Sequence, residues 1–275
     1  MILFLFLSEP DPDVAVSKRR LFLESLGTAA LALVAAWLLF RDKAGLVSIF
    51  LMTLAQSQRV ETLLQRNSRQ IWSGAISSGR ANRELAQVFF YQFAATFLLF
   101  WCASASMNAG FRQMFFPYQV DQLSMRMLLS LDFGTLRGLF YHNSLVLLAF
   151  MIGAFLYRGG GVYLILSWNA SVWGVVLGMI YAHWFHTHTN PLPGIGAMLA
   201  ILPHLLTEAF GYVLGGMAGV FLSKAMAKYS TSSPEFRQVL RSVLRIGALA
   251  VAFVGLGAAL EAIVAPALLR WLFAQ

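Results

Sequence analysis

Three ionisable side chains lie deep inside long apolar segments, where such groups are rare. Glu208 and Glu261 each lie ten residues from one end of an apolar run, at Met198 and at Trp271 respectively. At a rise of about 1.5 Å per residue, each carboxyl group would lie about 15 Å from that end of a helix. His204 precedes Glu208 by four residues, which places both side chains on one helical face. This spacing predicts a shared polar site.

Such a site has two interpretations. Carboxyl and imidazole groups, together with the backbone carbonyl that Pro203 leaves without a donor, can bind protons, cations or polar substrates. The same groups can instead form a clamp between helices, with each carboxyl bonded to an amide, an imidazole or a carbonyl. Asn143 and Asn169 lie in neighbouring apolar segments and would supply such amides. The sequence leaves both interpretations open.

Motifs for catalysis and metal binding are missing from the sequence. There is no HExxH, GxSxG or Walker A pattern, and the His204–Glu208 pair lacks the second histidine of a zinc protease. His183, His186 and His188 cluster without a neighbouring carboxylate, whereas structural zinc takes four close ligands. An intramembrane hydrolase would need a nucleophile or a metal that the sequence does not supply. We therefore predict no enzyme activity, no cofactor and no metal site.

The composition indicates that membrane helices must position these residues. Of 275 residues, 59% are hydrophobic and only 12% are charged, whereas an average soluble domain has about 25% charged residues. This excludes a soluble enzyme and a disordered protein, and the single cysteine, Cys102, excludes a disulfide scaffold. The net charge of +8 fits basic cytoplasmic loops of a membrane protein. We predict no nucleic-acid binding, because no basic stretch lies on a soluble fold.

Seven apolar segments predict helices that cross the lipid bilayer, each of which needs about 20 residues. They are 21–40, 44–55, 86–107, 138–157, 162–183, 198–223 and 246–271. The second is short and is interpreted as the return arm of a hairpin after the charged residues 41–43. Pro266, one turn after Glu261, predicts a kink in the last segment. The predicted fold is a single all-α domain, a bundle of about seven transmembrane helices.

Basic residues are distributed unequally between the two sides of such a bundle. Seven alternating crossings place the N-terminus, 56–85, 158–161 and 224–245 on one side, and these segments hold 14 of the 20 basic residues. Because basic loops remain on the cytoplasmic side, we predict a cytoplasmic N-terminus and an extracytoplasmic C-terminus. Without a crossing by 44–55, the N-terminal bases would lie opposite the basic block at 59–83.

Two segments lie outside the predicted spans. Residues 57–85 are polar and helix-forming, which predicts a cytoplasmic hairpin or surface helix between an N-terminal hairpin, 1–56, and a core, 86–275. Residues 111–133 predict an amphipathic helix in the outer membrane interface. A helix packed on the bundle explains the same pattern. The pattern consists of apolar residues at spacings of three and four, namely Val120, Leu123, Met127, Leu128 and Leu131.

Small residues recur at every fourth position in two predicted spans. Gly211, Gly215 and Gly219 lie in AFGYVLGGMAGV, and Gly174 and Gly178 lie in WGVVLG. This spacing lets helices approach closely, either within one chain or between copies in a homo-oligomer.

Three ordered motifs resemble the stage II sporulation protein M family. FYHNSLVLLAFMIGAFLYRGGGVYLILSWNASVWGVVLG is similar to its two Asn-containing spans around a Gly-rich turn. ILPHLLTEAFGYVLGGMAG resembles its Pro-His…Glu helix, and GAALEAIVAPALL resembles its closing Glu…Pro motif. The resemblance covers roughly residues 86–271. Leu205 stands where the family commonly has Gly, and Ala265 where it often has Thr.

The resemblance implies a multi-span membrane anchor, since the family is named for the engulfment step of sporulation, where it acts with cell-wall hydrolases. Members in non-sporulating organisms are often encoded near transporter-type permeases. The first hypothesis is therefore a non-enzymatic scaffold or partner subunit that binds a permease, an ATPase or a cell-wall hydrolase in the cell envelope. The alternative is a transporter component, in which Glu208, His204 and Glu261 form a polar pathway and a separate ATPase provides the energy.

Overall fold

The computed structural model describes residues 17–75, 77–121, 136–187 and 192–273. Within these ranges the regular structure is helical and no strand occurs. The described ranges contain nine α-helices: α1 Lys18–Phe40, α2 Ala44–Trp72, α3 Ser78–Ser106, α4 Ala109–Phe115, α5 Pro117–Asp121, α6 Leu136–Thr187, α7 Leu192–Lys228, α8 Pro234–Ala259 and α9 Ala265–Phe273.

Five helical stretches in the described part of the chain are long and apolar enough to cross a membrane. Their bounds are Lys18–Trp72, Ser78–Ser106, Leu136–Phe185, Gly194–Lys228 and Pro234–Arg270. Many of their large apolar side chains point outward, which is typical of helices that lie in lipid rather than water. The all-helical, membrane-type fold predicted from the composition is confirmed.

The first of these stretches folds back on itself. A short 3₁₀ turn, Arg41–Lys43, separates α1 from α2. Glu24 accepts a hydrogen bond from Arg59 with a distance of 2.7 Å between Oε2 and Nη1, although 35 residues of straight helix would separate them by about 50 Å. The two helices are therefore antiparallel, as a hairpin turning at residues 41–43 requires.

The third stretch, α6, also reverses direction. Arg158 has φ 52° and ψ −134°, which is not helical, and it divides α6 into two arms. A Cβ atom on Gly161 of the second arm would overlap the backbone of Gly153 in the first. Glycine is needed at this contact because the two backbones meet without room for a side chain. The break falls at the RGGG segment, where the sequence separates two predicted spans.

The polar segment between the second and third predicted spans extends the helices on both sides. Helix α2 continues to Trp72, well past the apolar run that ends at Ala55. Gly74 has φ +76° in the turn that follows, a conformation that glycine adopts without strain. Ser77 then caps α3 by accepting a hydrogen bond from the backbone N–H of Arg80 at 3.3 Å. The segment is thus a helical hairpin continuous with its neighbouring helices.

The described part of the predicted interfacial segment packs into the bundle. It forms two short helices, α4 and α5, in which Arg112, Phe115 and Gln119 are buried, as is Phe116 between them. Phe116 contacts Phe100 of α3, with ring centroids 5.2 Å apart. The remaining apolar positions on which the prediction depends fall outside the described residues, namely Leu123, Met127, Leu128 and Leu131. The interfacial helix itself stays a prediction.

The main core lies where α3, both arms of α6, α7 and α8 meet. Tyr212 of α7 stacks on Phe150 of α6, with ring centroids 4.7 Å apart. Phe89 of α3 meets Tyr163 edge to face at 5.4 Å. The first pair fixes α7 against α6 and therefore fixes the side chains one turn away in α7, whereas the second pair fixes α3 against the second arm of α6.

The last stretch widens before its proline. Helix α8 ends at Ala259, a π-helical turn spans Leu260–Val264, and α9 begins at Ala265. Pro266 follows this turn directly, as the second residue of α9. Single π turns inside helices occur frequently at functional sites, and this one contains Glu261.

Candidate functional site

One face of α7 carries three polar side chains at intervals of four residues. His204, Glu208 and Tyr212 are 6%, 4% and 2% exposed. The interval of four aligns them along one stripe of the helix, and burial of all three shows that the stripe faces other helices. Tyr212 was missed by the sequence analysis, although its spacing from Glu208 repeats that of His204.

Glu208 is held by an amide from a different helix. Asn143, in the first arm of α6, donates from Nδ2 to Oε1 of Glu208 at 2.5 Å. Asn143 is also buried, so both groups of this hydrogen bond are shielded by other helices. Two residues predicted to belong to one intramembrane site are therefore in direct contact.

A third helix closes over the same carboxyl group. Gly257 of α8 lies so close that a Cβ atom there would be 2.6 Å from Cγ of Glu208. Glu261, one turn later in the π turn, is near enough for its carboxyl group to interact electrostatically with Glu208. Glu208 thus lies at the junction of α6, α7 and α8, and Glu261 lies one turn after the glycine that packs on it.

His204 lies at the edge of this junction. Its Nδ1 atom is buried and has no hydrogen-bond partner within the described residues. The carbonyl of Pro203 beside it accepts a hydrogen bond from the hydroxyl of Thr207 at 2.7 Å. This bond does not involve the carbonyl of Leu199, which is the one that loses its donor at Pro203, and the imidazole of His204 retains an unused polar atom.

Asn169 lies apart from this cluster. Its Nδ2 donates to the carbonyl of Ile165 at 2.9 Å, one turn earlier in its own helix. That bond joins no second helix. Of the two predicted amide partners, the structure brings Asn143 to Glu208 and leaves Asn169 bonded within α6.

The glycines of α7 face other parts of the same chain. A Cβ atom on Gly211 would lie 2.9 Å from Cγ2 of Val254 in α8. On Gly215 it would overlap Leu147, and on Gly219 it would overlap the carbonyl of Met151, both in α6. These three positions let α6 and α8 approach α7, and their contacts are intramolecular.

Gly174 and Gly178 do the same between α6 and α3. A Cβ atom on Gly174 would lie 2.6 Å from the carbonyl oxygen of Phe97, and one on Gly178 would lie 2.7 Å from that of Trp101. Close to these contacts, Ser104 donates from its hydroxyl to the carbonyl of Val175 at 2.8 Å. The second arm of α6 and α3 thus meet backbone to backbone.

The described residues offer no metal centre. Among them, no group of three or more His, Cys, Asp or Glu side chains is placed to hold a metal ion. His183 lies in α6, whereas the side chain of His186 and the whole of His188 fall outside what the structure describes. The geometry around Glu208 therefore has the chemistry of a buried carboxyl–amide pair that links helices.

A comparison with known protein families finds the family that the three sequence motifs resemble. The family described as Stage II sporulation protein M matches residues 25–266, which is most of the chain. No curated protein and no solved structure matches it. The matched region contains Asn143, Glu208 and Glu261. The chain therefore belongs to the stage II sporulation protein M family.

Proposed function

We propose that this protein is a non-enzymatic scaffold or partner subunit of an assembly in the cell envelope. The observation that carries the proposal is the position of Glu208, which is buried, bonded to Asn143 and packed on Gly257. In this place the carboxyl group joins three helices. The polar residues then serve the architecture of the bundle, and its surfaces are what other proteins recognise.

Seven membrane crossings are part of this proposal. Two of the five apolar stretches fold back, which gives seven arms. The contacts support alternation: Asn143 and Leu147 meet Glu208 and Gly215 in the same order, so their arms are parallel. Helices α7 and α8 are antiparallel, because Glu208 faces Gly257 whereas Gly211, later in α7, faces the earlier Val254. Alternating crossings require both relationships.

The proposed orientation follows from charge. One end of the bundle holds the α2–α3 turn, the break at Arg158 and the α7–α8 turn, and we call it the basic end. The segments assigned to it contain 14 of the 20 basic residues, which favours the cytoplasm. Ion pairs also hold its helices together, since Lys224 of α7 bonds Glu61 of α2 at 2.5 Å. The N-terminus is then cytoplasmic and the C-terminus extracytoplasmic.

The repeated glycines suggested close helix contacts either within the chain or between copies, and they are not the surface through which such a scaffold would bind partners. Gly174, Gly178, Gly211, Gly215 and Gly219 contact the chain itself, so close packing with another protein through them is not required. The basic end and the lipid-facing helix surfaces are the regions left for recognition. The partners proposed from the family are a permease, an ATPase or a cell-wall hydrolase.

The test separates a scaffold from a transporter with conservative variants. Glu208→Gln and Glu261→Gln keep the size and an acceptor oxygen but remove the ionisable group. We expect the wild type to carry no proton or solute flux in liposomes, and both variants to capture the same membrane partners in a mild-detergent pull-down. Flux in the wild type that disappears in the Gln variants, with capture unchanged, would instead establish the transport alternative.

Glu208→Ala tests the structural role of the carboxyl group as a link between helices. It removes the acceptor for Asn143, so the scaffold proposal expects weaker folding and weaker partner capture than for Glu208→Gln. Asn169→Ala serves as the control, because the amide of Asn169 bonds within its own helix. Equal capture by Glu208→Ala and the wild type would argue against the clamp as the basis of assembly.

A further inference from the structure

A pocket of about 540 Å³ opens at the basic end of the bundle. Its walls come from the end of α2, the beginning of α3, the break in α6, the end of α7 and the beginning of α8. Its volume is within the range of about 300–1,000 Å³ that small-ligand sites occupy. The pocket is separate from the cluster around Glu208, and no motif in the sequence predicted it.

The charge of the pocket is strongly positive. Arg69, Arg158, Lys224 and Lys228 line it, and none of its described lining residues is acidic. Lys224 is paired with Glu61 at 2.5 Å. Arg69 and Arg158 form no salt bridge within the described part of the chain, and the carboxylate of Glu61 also lies within electrostatic range of Arg158. Cations gathered in this way bind an anion, and phosphate oxygens are the group that arginine matches best.

Arg158 occupies its place at a cost in backbone strain. Its φ of 52° is unusual for a residue with a side chain, and such conformations cost about 1–3 kcal/mol. Three glycines follow it directly, 159–161, and any of them would take that conformation freely. The chain nevertheless has an arginine at the turn, where its side chain lines the pocket.

The remaining walls suit a lipid better than a free ion. Trp72 and Tyr229 line the pocket and meet edge to face at 6.0 Å, and these two residue types concentrate at membrane interfaces. Lys228 lies 5.4 Å from the centre of the Tyr229 ring. Leu64, Leu85 and Phe221 add apolar surface to its walls. Charged groups beside apolar walls match a phosphate headgroup joined to acyl chains.

We propose that this pocket binds the headgroup of an anionic phospholipid, of which phosphatidylglycerol is the simplest example. Arg69, Arg158 and the two lysines hold the phosphate, while the hydroxyl and amide groups of Ser68 and Asn82 are available to the glycerol. Basic pockets between helices on the cytoplasmic side bind such headgroups in other membrane proteins. The assignment rests on the membrane topology given under Proposed function.

Native mass spectrometry of the full chain in a neutral detergent tests the proposal. Phosphatidylglycerol and phosphatidylcholine are added at equal concentration, and we expect the anionic lipid to be retained preferentially. Arg69→Gln and Arg158→Gly should each lower its retention about fivefold. Arg158→Gly is the sharper variant, because glycine relieves the strained φ. It should therefore keep or raise the melting temperature while the lipid is lost.

Arg241→Gln is the matched control, since it removes one charge from the same end of the bundle and Arg241 does not line the pocket. An equal loss of lipid in the control, or equal retention of both lipids by the wild type, would overturn the proposal. Displacement of the lipid by free glycerol 1-phosphate at similar concentration would identify a soluble phosphate instead. Partner capture and flux play no part in this measurement, so it can succeed or fail independently of the scaffold proposal.

Discussion

The amide of Asn143 donates to the carboxyl group of Glu208 at 2.5 Å, across 65 positions of sequence. The bond joins the first arm of α6 to the middle of α7, and Gly257 of α8 covers it from a third side. It is an interhelical hydrogen bond between buried side chains. The candidate site is therefore better described by this bond than by either residue alone.

The coupling between these two residues can be measured directly. A double-mutant cycle of Asn143→Ala and Glu208→Ala should give a favourable interaction of about 0.6 kcal/mol, the average for interhelical hydrogen bonds in membranes, and at most about 1.7 kcal/mol. Reversible unfolding in mixed micelles supplies the free energies. Asn169→Ala paired with Glu208→Ala is the control and should show no coupling. Additive effects of Asn143→Ala and Glu208→Ala would show that the bond contributes nothing.

Gly257 makes room for the side chain of Glu208, to which the three heavy atoms nearest a new Cβ atom belong. A Cβ atom at Gly257 would meet Cγ, Cδ and Oε1 of Glu208. Gly257→Ala should therefore destabilise the wild type by about 1–3 kcal/mol through overpacking, and this cost should disappear in the Glu208→Ala background. The same cost in both backgrounds would place the conflict elsewhere in α8. The measurement is again unfolding free energy in micelles.

The contact between α3 and the second arm of α6 depends on Gly178. Gly178→Ala should lower the melting temperature, because the new Cβ atom would lie 2.7 Å from the carbonyl oxygen of Trp101. Gly247→Ala is a matched control in α8, where no atom of the described residues lies within 4 Å of the new atom. It should be neutral or stabilise by up to about 1 kcal/mol, since alanine is the better helix former. Similar melting temperatures for the two variants would contradict the close approach of the helices.

The guanidinium of Arg112 holds the segment after α3 through three hydrogen bonds, which lysine cannot reproduce. Its guanidinium donates from Nε and Nη2 to the carbonyl of Ser104, at 3.0 and 2.8 Å, and from Nη2 to that of Met107 at 2.6 Å. Arg112→Ala should loosen α4 and increase proteolysis near residues 107–110, and Arg112→Lys should rescue only in part. Arg137→Ala, which removes an exposed charge, should leave the cleavage rate unchanged. Full rescue by lysine would mean that charge alone matters.

Cysteine labelling tests the proposed seven crossings. In a Cys102→Ala background, Ser73→Cys and Ser230→Cys should react only with a reagent that reaches the cytoplasm. Asp42→Cys should react with an impermeant reagent added outside, because it lies in the exposed turn between α1 and α2. Protection of Asp42→Cys from the outside reagent would remove the second crossing and with it the proposed alternation.

The sequence by itself determined the membrane class, the helix type and most helix positions. Long apolar runs can satisfy their backbone in lipid only as helices, and the charged and glycine-rich interruptions at residues 41–43 and 158–161 mark where the chain turns. The spacing of His204 and Glu208 likewise placed them on one face, since helical periodicity is local. These inferences need no knowledge of which helix packs against which.

Tertiary structure decided the partners. From the sequence, Asn143 and Asn169 were equally good candidates for an amide partner. The packing of α6 on α7 brings Asn143 to Glu208, whereas Asn169 bonds within its own helix. The sequence could not show that Gly257 packs against the carboxyl group of Glu208. It also could not show that Arg69, Arg158 and Lys228 line one pocket. In lipid, apolar faces are nearly interchangeable, so helix order and rotation depend on close backbone contacts and a few polar bonds between distant residues.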